Sequence, residues 1–336
     1  MDALVWTGPR QMEFSEMERP GASPGWVVLE VKAVGICGSE LSGYLGHNSL
    51  RVPPLVMGHE FSGVVVELGA GVSEEYLGQL VTANPLIACG NCKACNRGNR
   101  QLCKERKLIG VNFPGAFAQF VAVPARNCFP VTNIVDGALA EPLACSLRAV
   151  NRVRVEAGDS GIVIGAGIIG LMAMKCMRFM GASQVIAMDT NELRLEEAKA
   201  WGATHLINPK QPDAQQKIQE LFPDGADCIV DAVGSERTRQ QAIAAVRRGG
   251  RIVLIGLHED PTTVPGNVIV RDEIEIYGTF CYSDFEFARA VTFVNDGFLP
   301  GGERSWLDLR PLRDGGAAFE EQVSGTARYP KIVLQP

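Results

Sequence analysis

The sequence has no surplus of positive charge. Its 32 lysines and arginines are outnumbered by 38 aspartates and glutamates, giving a net charge of −6. That balance argues against a general nucleic-acid binder and favours a small-molecule ligand. Long hydrophobic runs are also missing: the apolar stretch 161–174 is too short to span a bilayer and is interrupted by glycines. The chain does not open with a basic segment followed by an apolar one, so a secretory signal is not expected. Repeats and low-complexity tracts are lacking too. What is present is a globular composition, 46% hydrophobic and 21% charged, over 336 residues, a length that suits two domains better than one core.

Cysteine is not scarce. Ten are present, and in a secreted chain that number would suggest disulfides. Four of them, however, form the pattern Cys89-x2-Cys92-x2-Cys95-x7-Cys103, a spacing at which four thiolates can wrap one tetrahedral Zn²⁺. The others are scattered through apolar segments, and a reducing cytoplasm explains the pattern better than disulfide pairing. A closed tetrathiolate has no open position for substrate, so the lobe is assigned to structure. Lys93, Arg97, Arg100 and Lys104 would suit a nucleic-acid-binding ribbon, but they suit better the offsetting of the zinc–thiolate charge.

Two textures succeed one another. Segments 26–34, 61–68, 79–83 and 117–123 are β-like and punctuated by Pro53-Pro54 and Pro114-Gly115, as in an irregular, mostly-β domain. From about residue 146, apolar runs at 162–165, 184–188, 228–231 and 252–256 alternate with helical stretches such as 193–201 and 237–247. That alternation predicts an α/β domain with a doubly wound parallel sheet. It stops after Tyr282, and the apolar run 331–334 could add a strand to the first domain. The expected domains are therefore 1–144 with 285–336, and 145–284.

Within the second texture, Gly165-Ala166-Gly167-Ile168-Ile169-Gly170 follows an apolar strand and precedes an apolar helix expected over 171–180. Alone, G-x-G-x-x-G is weak. Here an acid, Asp189, closes the next strand 19 residues past Gly170. Gly165 allows the tight turn, Gly167 the approach of a pyrophosphate, and Gly170 the close packing of helix on strand. Asp189 would accept hydrogen bonds from the adenosine ribose, which predicts NAD over NADP. Arg194 tempers this, since an arginine there could meet a 2′-phosphate.

Cys37, His59 and Glu141 stand in Cys37-Gly38-Ser39, Gly58-His59-Glu60 and Glu141-Pro142-Leu143, and spacing alone does not connect them. Together with the four-cysteine lobe and the glycine-rich turn, in this order, they resemble the zinc-containing medium-chain alcohol dehydrogenases. The Glu-Pro-Leu segment is similar to the polyol, galactitol-phosphate and threonine dehydrogenase branch. The resemblance implies a GroES-like catalytic domain beside a Rossmann domain, and two Zn²⁺ per subunit. One would be the structural ion of Cys89, Cys92, Cys95 and Cys103. The other, catalytic, would be held by Cys37, His59 and Glu141, with Glu60 able to approach or ligate it.

By the same resemblance, Glu40 orients the zinc-bound histidine, Ser39 bonds the reacting oxygen, and Ser42 stands where several relatives continue a proton relay with histidine. The implied reaction is reversible oxidation of a secondary alcohol by hydride transfer to NAD, in a cytoplasmic homodimer or homotetramer joined through the nucleotide domains. Many polyol-oxidising relatives carry Phe-Arg-Tyr where this chain has Phe280-Cys281-Tyr282. Arg51 is another possible anion contact, although a lone loop arginine is more often solvated. The competing readings are a zinc-independent enone or quinone reductase of the same superfamily and a non-catalytic zinc-binding regulatory protein.

Overall fold

A computed structural model describes residues 1–301 and 304–336. Its contacts divide the chain into one unit of Met1–Glu141 with Ser283–Pro336 and another of Pro142–Tyr282. The spine of the first is the strand Trp26–Gly35, whose valines and leucine are buried while Glu30 and Lys32 stay half-exposed. β-branched side chains suit a strand covered on its apolar face. It lies in a seven-stranded sheet ordered Cys128–Pro130, Leu80–Ala83, Glu60–Leu68, Trp26–Gly35, Lys331–Gln335, Leu307–Pro311, with Phe120–Pro124 also paired to it. A smaller sheet joins Gln11–Glu16, Asp2–Gly8 and Leu55–Val56. The core between them includes Leu4, Leu29, Phe61, Phe117 and Phe319, the last two edge-to-face at 5.6 Å.

The register of this sheet brings distant residues together. Gly35 pairs with Glu60 across an antiparallel ladder, and with Val333 on its other side. Cys37, just past the end of one strand, and His59, just before the start of its neighbour, therefore meet at one end of the sheet. The run expected at 331–334 does add a strand here, Lys331–Gln335. The strand expected from residue 117 begins only at Phe120, because the backbone of residues 117–119 bonds instead to Asp2 and Leu4 of the smaller sheet.

The second unit is the expected doubly wound sheet. Six parallel strands run in the order His205–Ile207, Gln184–Met188, Ser160–Ile164, Ala226–Asp231, Val246–Leu254, Glu275–Gly278. The winding reverses at Ser160–Ile164, so the carboxyl end of that strand is the switch point where such sheets bind ligands. The following helix, Ile168–Phe179, starts earlier than expected because Gly167 is its N-cap and Ile168 and Ile169 form its first turn. Helix Glu236–Ala245 ends early, and residues 246 and 247 join the strand Val246–Leu254. Among the described residues no helix is long and apolar enough to cross a membrane.

Candidate functional site

Cys37 caps the short helix Gly38–Tyr44 with extended backbone, φ −95° and ψ 148°. Its sulfur, a ring nitrogen of His59 and a carboxylate oxygen of Glu60 all lie within 4.8 Å of one another. A thiolate, an imidazole and a carboxylate are the donor types of a zinc site with room for a further ligand. Glu141, the carboxylate implied by the resemblance, is buried in the first turn of helix Ala140–Val153.

Glu40 organises the group from beneath. It is fully buried, and its Oε1 lies 2.7 Å from His59 Nδ1 and accepts the Gly58 N–H at 2.9 Å. Its Oε2 accepts the Cys37 N–H at 3.0 Å. Burial alone would raise the Glu40 pKa, but the His59 charge and hydrogen bond, the Arg51 charge and the Cys37 N–H together hold it below the usual carboxylate value. Burial likewise works against a charged His59, yet Glu40 and Cys37 outweigh it and hold its pKa well above the usual histidine value. A metal on the far ring nitrogen needs neutral imidazole, whose one proton would then sit on Nδ1, against Glu40.

Around these residues are four further polar groups. Ser39 Oγ donates to Cys37 Sγ at 3.5 Å and accepts from Arg51 Nη2 at 3.2 Å. Lys331, 1% exposed, donates to Ile36 O at 2.8 Å and pairs closely with Glu60. Gly35 makes space for this pair, since a methyl group there would meet Lys331 Cε at 2.7 Å and Nζ at 2.9 Å. Arg51, which the sequence leaves open between an anion contact and a solvated loop residue, is buried. Ser42 is half-buried on the same helix as Ser39, and its carbonyl accepts the His47 N–H at 2.9 Å. Sequence reasoning missed Lys331 altogether; the only signal was a lysine opening an otherwise apolar terminal strand.

The four-cysteine lobe is built differently. Between the paired strands Leu86–Ile87 and Lys107–Leu108, Cys89 in the loop, Cys92 and Cys95 at and in the helix Lys93–Asn96, and Cys103 just past the turn Arg100–Leu102 bring four sulfurs within 4.8 Å of one another. Four sulfurs at about 2.3 Å from one tetrahedral zinc lie about 3.8 Å apart. Here Cys92–Cys95 and Cys103–Cys89 are 3.5 Å apart and Cys89–Cys95 is 3.9 Å, far beyond a disulfide bond. None of these four is joined in a disulfide. Backbone N–H groups of Asn91 and Cys92 pull the Cys89 thiol down to about 6, while burial pushes Cys95 up to about 11. Arg100, counted above among the charges offsetting the thiolates, pairs with Asp284 at 2.9 Å.

At the glycine-rich turn, Gly165 has φ +96°, a left-handed value that favours glycine. A side chain on Gly170 would strike the Gly165 carbonyl. Gly167 differs: a methyl group there meets no protein atom within 4 Å, so the protein's own packing does not require glycine, whereas a dinucleotide lying on that turn would. Asp189 Oδ2 accepts the Ala166 N–H at 2.8 Å and its Oδ1 the Asn191 N–H at 2.9 Å. Arg194 is half-buried in the helix Glu192–Ala198 that follows.

Residues 23–133 match the alcohol dehydrogenase GroES-like domain and residues 169–296 the zinc-binding dehydrogenase domain. The sorbitol dehydrogenase of Bacillus subtilis (strain 168) is 32% identical over 348 aligned residues, covering 100% of this chain and 97% of that one. Among solved structures, galactitol-1-phosphate dehydrogenase from Escherichia coli superposes with a TM-score of 0.92 at 26% identity, covering 100% of both chains. An alcohol dehydrogenase from E. coli CFT073, complexed with NADH, has a TM-score of 0.92 at 26% identity, covering 100% of this chain and 99% of that one.

Proposed function

Because this chain belongs to the zinc-containing medium-chain alcohol dehydrogenase family, we propose that it reversibly oxidises a secondary alcohol, in the class of polyols, sugar-alcohol derivatives and hydroxy amino acids, with NAD as acceptor. The observation that carries this reading is the gathering of Cys37, His59 and Glu60 donors within 4.8 Å, with the Ser39 hydroxyl 3.5 Å from the Cys37 sulfur. The zinc-independent reductase reading leaves that donor set without a purpose.

Cys37 and His59 would hold the catalytic zinc, with carboxylates from Glu60 and Glu141. Cys89, Cys92, Cys95 and Cys103 would hold the structural one. When bound, zinc supplies the Lewis acidity that eases loss of the alcohol proton, and NAD supplies the hydride acceptor. The chain's own residues do the rest. Glu40 fixes the His59 ring through Nδ1. Ser39, its oxygen accepting from Arg51, would turn its proton from the Cys37 sulfur to exchange it with a substrate hydroxyl, and Ser42 on the same helix would carry the relay outward.

The dinucleotide's pyrophosphate would lie on the turn from Gly165 to Gly170, against the N-terminus of helix Ile168–Phe179. Asp189, beside that turn, favours NAD: a 2′-phosphate near its carboxylate would cost about 4 kcal/mol per charge pair at about 4 Å and an effective dielectric near 20, before screening. Asp189→Ala should raise the NADP-to-NAD ratio of kcat/KM by at least about tenfold; an unchanged ratio would remove Asp189 from this role.

Assembly as a dimer or tetramer through the second unit is supported by its edge strand Glu275–Gly278, with Ile276 37% and nearby Val270 76% exposed. Four unbridged thiols gathered at metal-ligand distance suit a reducing cytoplasm. The test of the whole reading is NADH formation by zinc-replete protein across polyols, sugar-alcohol phosphates, threonine and simple secondary alcohols. Turnover of at least one supports it. A protein that oxidises none but reduces an enone without zinc contradicts it.

A further inference from the structure

Arg51 lies in the loop between helix Gly38–Tyr44 and strand Leu55–Val56. Its neighbours Leu50 and Val52 are 69% and 70% exposed, yet Arg51 itself is 5% exposed. Its guanidinium stem packs over Gly43, where a methyl group would meet Arg51 Cδ at 2.5 Å. The side chain's one hydrogen bond among the described residues is to the Ser39 hydroxyl, at 3.2 Å. Nε is sealed from solvent and has no acceptor.

A buried guanidinium is costly unless its charge and donors are matched. Glu40 feels its charge but has both oxygens committed to His59, Gly58 and Cys37. The protein therefore keeps a fixed cation, poor in acceptors, against the hydroxyl that serves the reaction.

We propose that Arg51 recognises an oxyanionic group, a carboxylate or a phosphate, that the substrate carries close to the carbon being oxidised. This rests on the dehydrogenase reading above and narrows its substrate class. A substrate hydroxyl hydrogen-bonded to Ser39 Oγ lies no more than about 6 Å from Arg51 Nη2. An oxyanion on the adjacent or next carbon spans that interval. One small molecule then occupies Ser39 with its hydroxyl and the guanidinium fork with its anion, in the planar, bidentate pairing for which arginine is suited and lysine is not.

The test uses the zinc-loaded protein with NAD and three matched alcohols: propane-1,2-diol, 2-hydroxypropanoate and 1-phosphopropan-2-ol. At least one anion should exceed the diol in kcat/KM by about tenfold or more, and the anion that does so distinguishes carboxylate from phosphate. Arg51→Gln should collapse that ratio by about tenfold, and Arg51→Lys should restore part of it. Equal kcat/KM across the three, or a ratio that survives Arg51→Gln, overturns the proposal. The wild-type ratio decides even if the variant does not fold. A weaker NADH dissociation constant in Arg51→Gln, with the substrate ratio intact, would assign the guanidinium to the cofactor's phosphates and also overturn it.

Calorimetric titration of the two anions separates this proposal from the function it rests on. Anion binding that Arg51→Gln weakens tenfold, without oxidation of any alcohol, would sink the dehydrogenase reading and keep the anion site. Oxidation of the diol with no preference for either anion would do the reverse.

Discussion

The two candidate metal centres of the first unit are built on opposite plans. The four-cysteine lobe takes every donor from a single stretch, Cys89 to Cys103, uses one donor type, and leaves Cys89 exposed. The Cys37–His59 centre draws on residues from 37 to 331, mixes thiolate, imidazole and carboxylate, and is backed by buried Glu40, Arg51 and Lys331. A closed set of equal donors can only hold an ion. An uneven set, with a hydroxyl and fixed charges beside it, can also orient a second molecule and move its proton. The difference in surroundings, more than the difference in ligands, separates structure from chemistry.

The strongest way to break this comparison is His59→Ala. Alcohol-dependent kcat/KM should fall by at least about 10³-fold, roughly 4 kcal/mol of transition-state stabilisation, while the four-cysteine lobe keeps its own zinc. An active His59→Ala enzyme would mean that the two centres are not divided as argued.

Cys92→Ser should behave the other way. Losing one thiolate opens the structural site and costs the folding free energy that the ion contributes, so the midpoint of thermal unfolding should drop well before the catalytic centre loses its own zinc. Unaltered unfolding in that variant would leave the lobe without its structural role.

Glu60→Gln sharpens the contrast, since the lobe has no counterpart to the Glu60–Lys331 pair. Removing the carboxylate strands the buried ammonium of Lys331, and a broken buried pair costs about 3–5 kcal/mol. Denaturant unfolding should register this even in chelator-treated protein. The double variant Glu60→Gln with Lys331→Met should recover part of the loss. A single variant as stable as the wild type would show that the pair is not an ion pair in solution.

The same contrast explains what could be read from the sequence. The lobe and the glycine-rich turn were legible because their function lies in local spacing: sulfurs three residues apart, glycines two and three apart. The doubly wound sheet was legible because its central strands are continuous apolar runs. Its edge strands His205–Ile207 and Glu275–Gly278 were not, being short and largely exposed or half-exposed. The Cys37–His59 centre was visible only through family resemblance, since sheet register, not spacing, brings its members together. That register also places Glu60, which opens the neighbouring strand, in the gathered set. Lys331 and Glu60 are 271 residues apart, and no local pattern marks such a pair. The burial of Arg51 was hidden for a related reason: its neighbours Leu50 and Val52 are exposed, while its own side chain turns inward over Gly43 to Ser39.

The central claim is that this chain carries two metal centres, one closed and one open. Zinc per chain, measured on protein dialysed against metal-free buffer, tests it most directly. The account predicts two zincs in the wild type and one in His59→Ala. One zinc in both proteins would contradict it, because the Cys37–His59 centre would then hold no metal to work with.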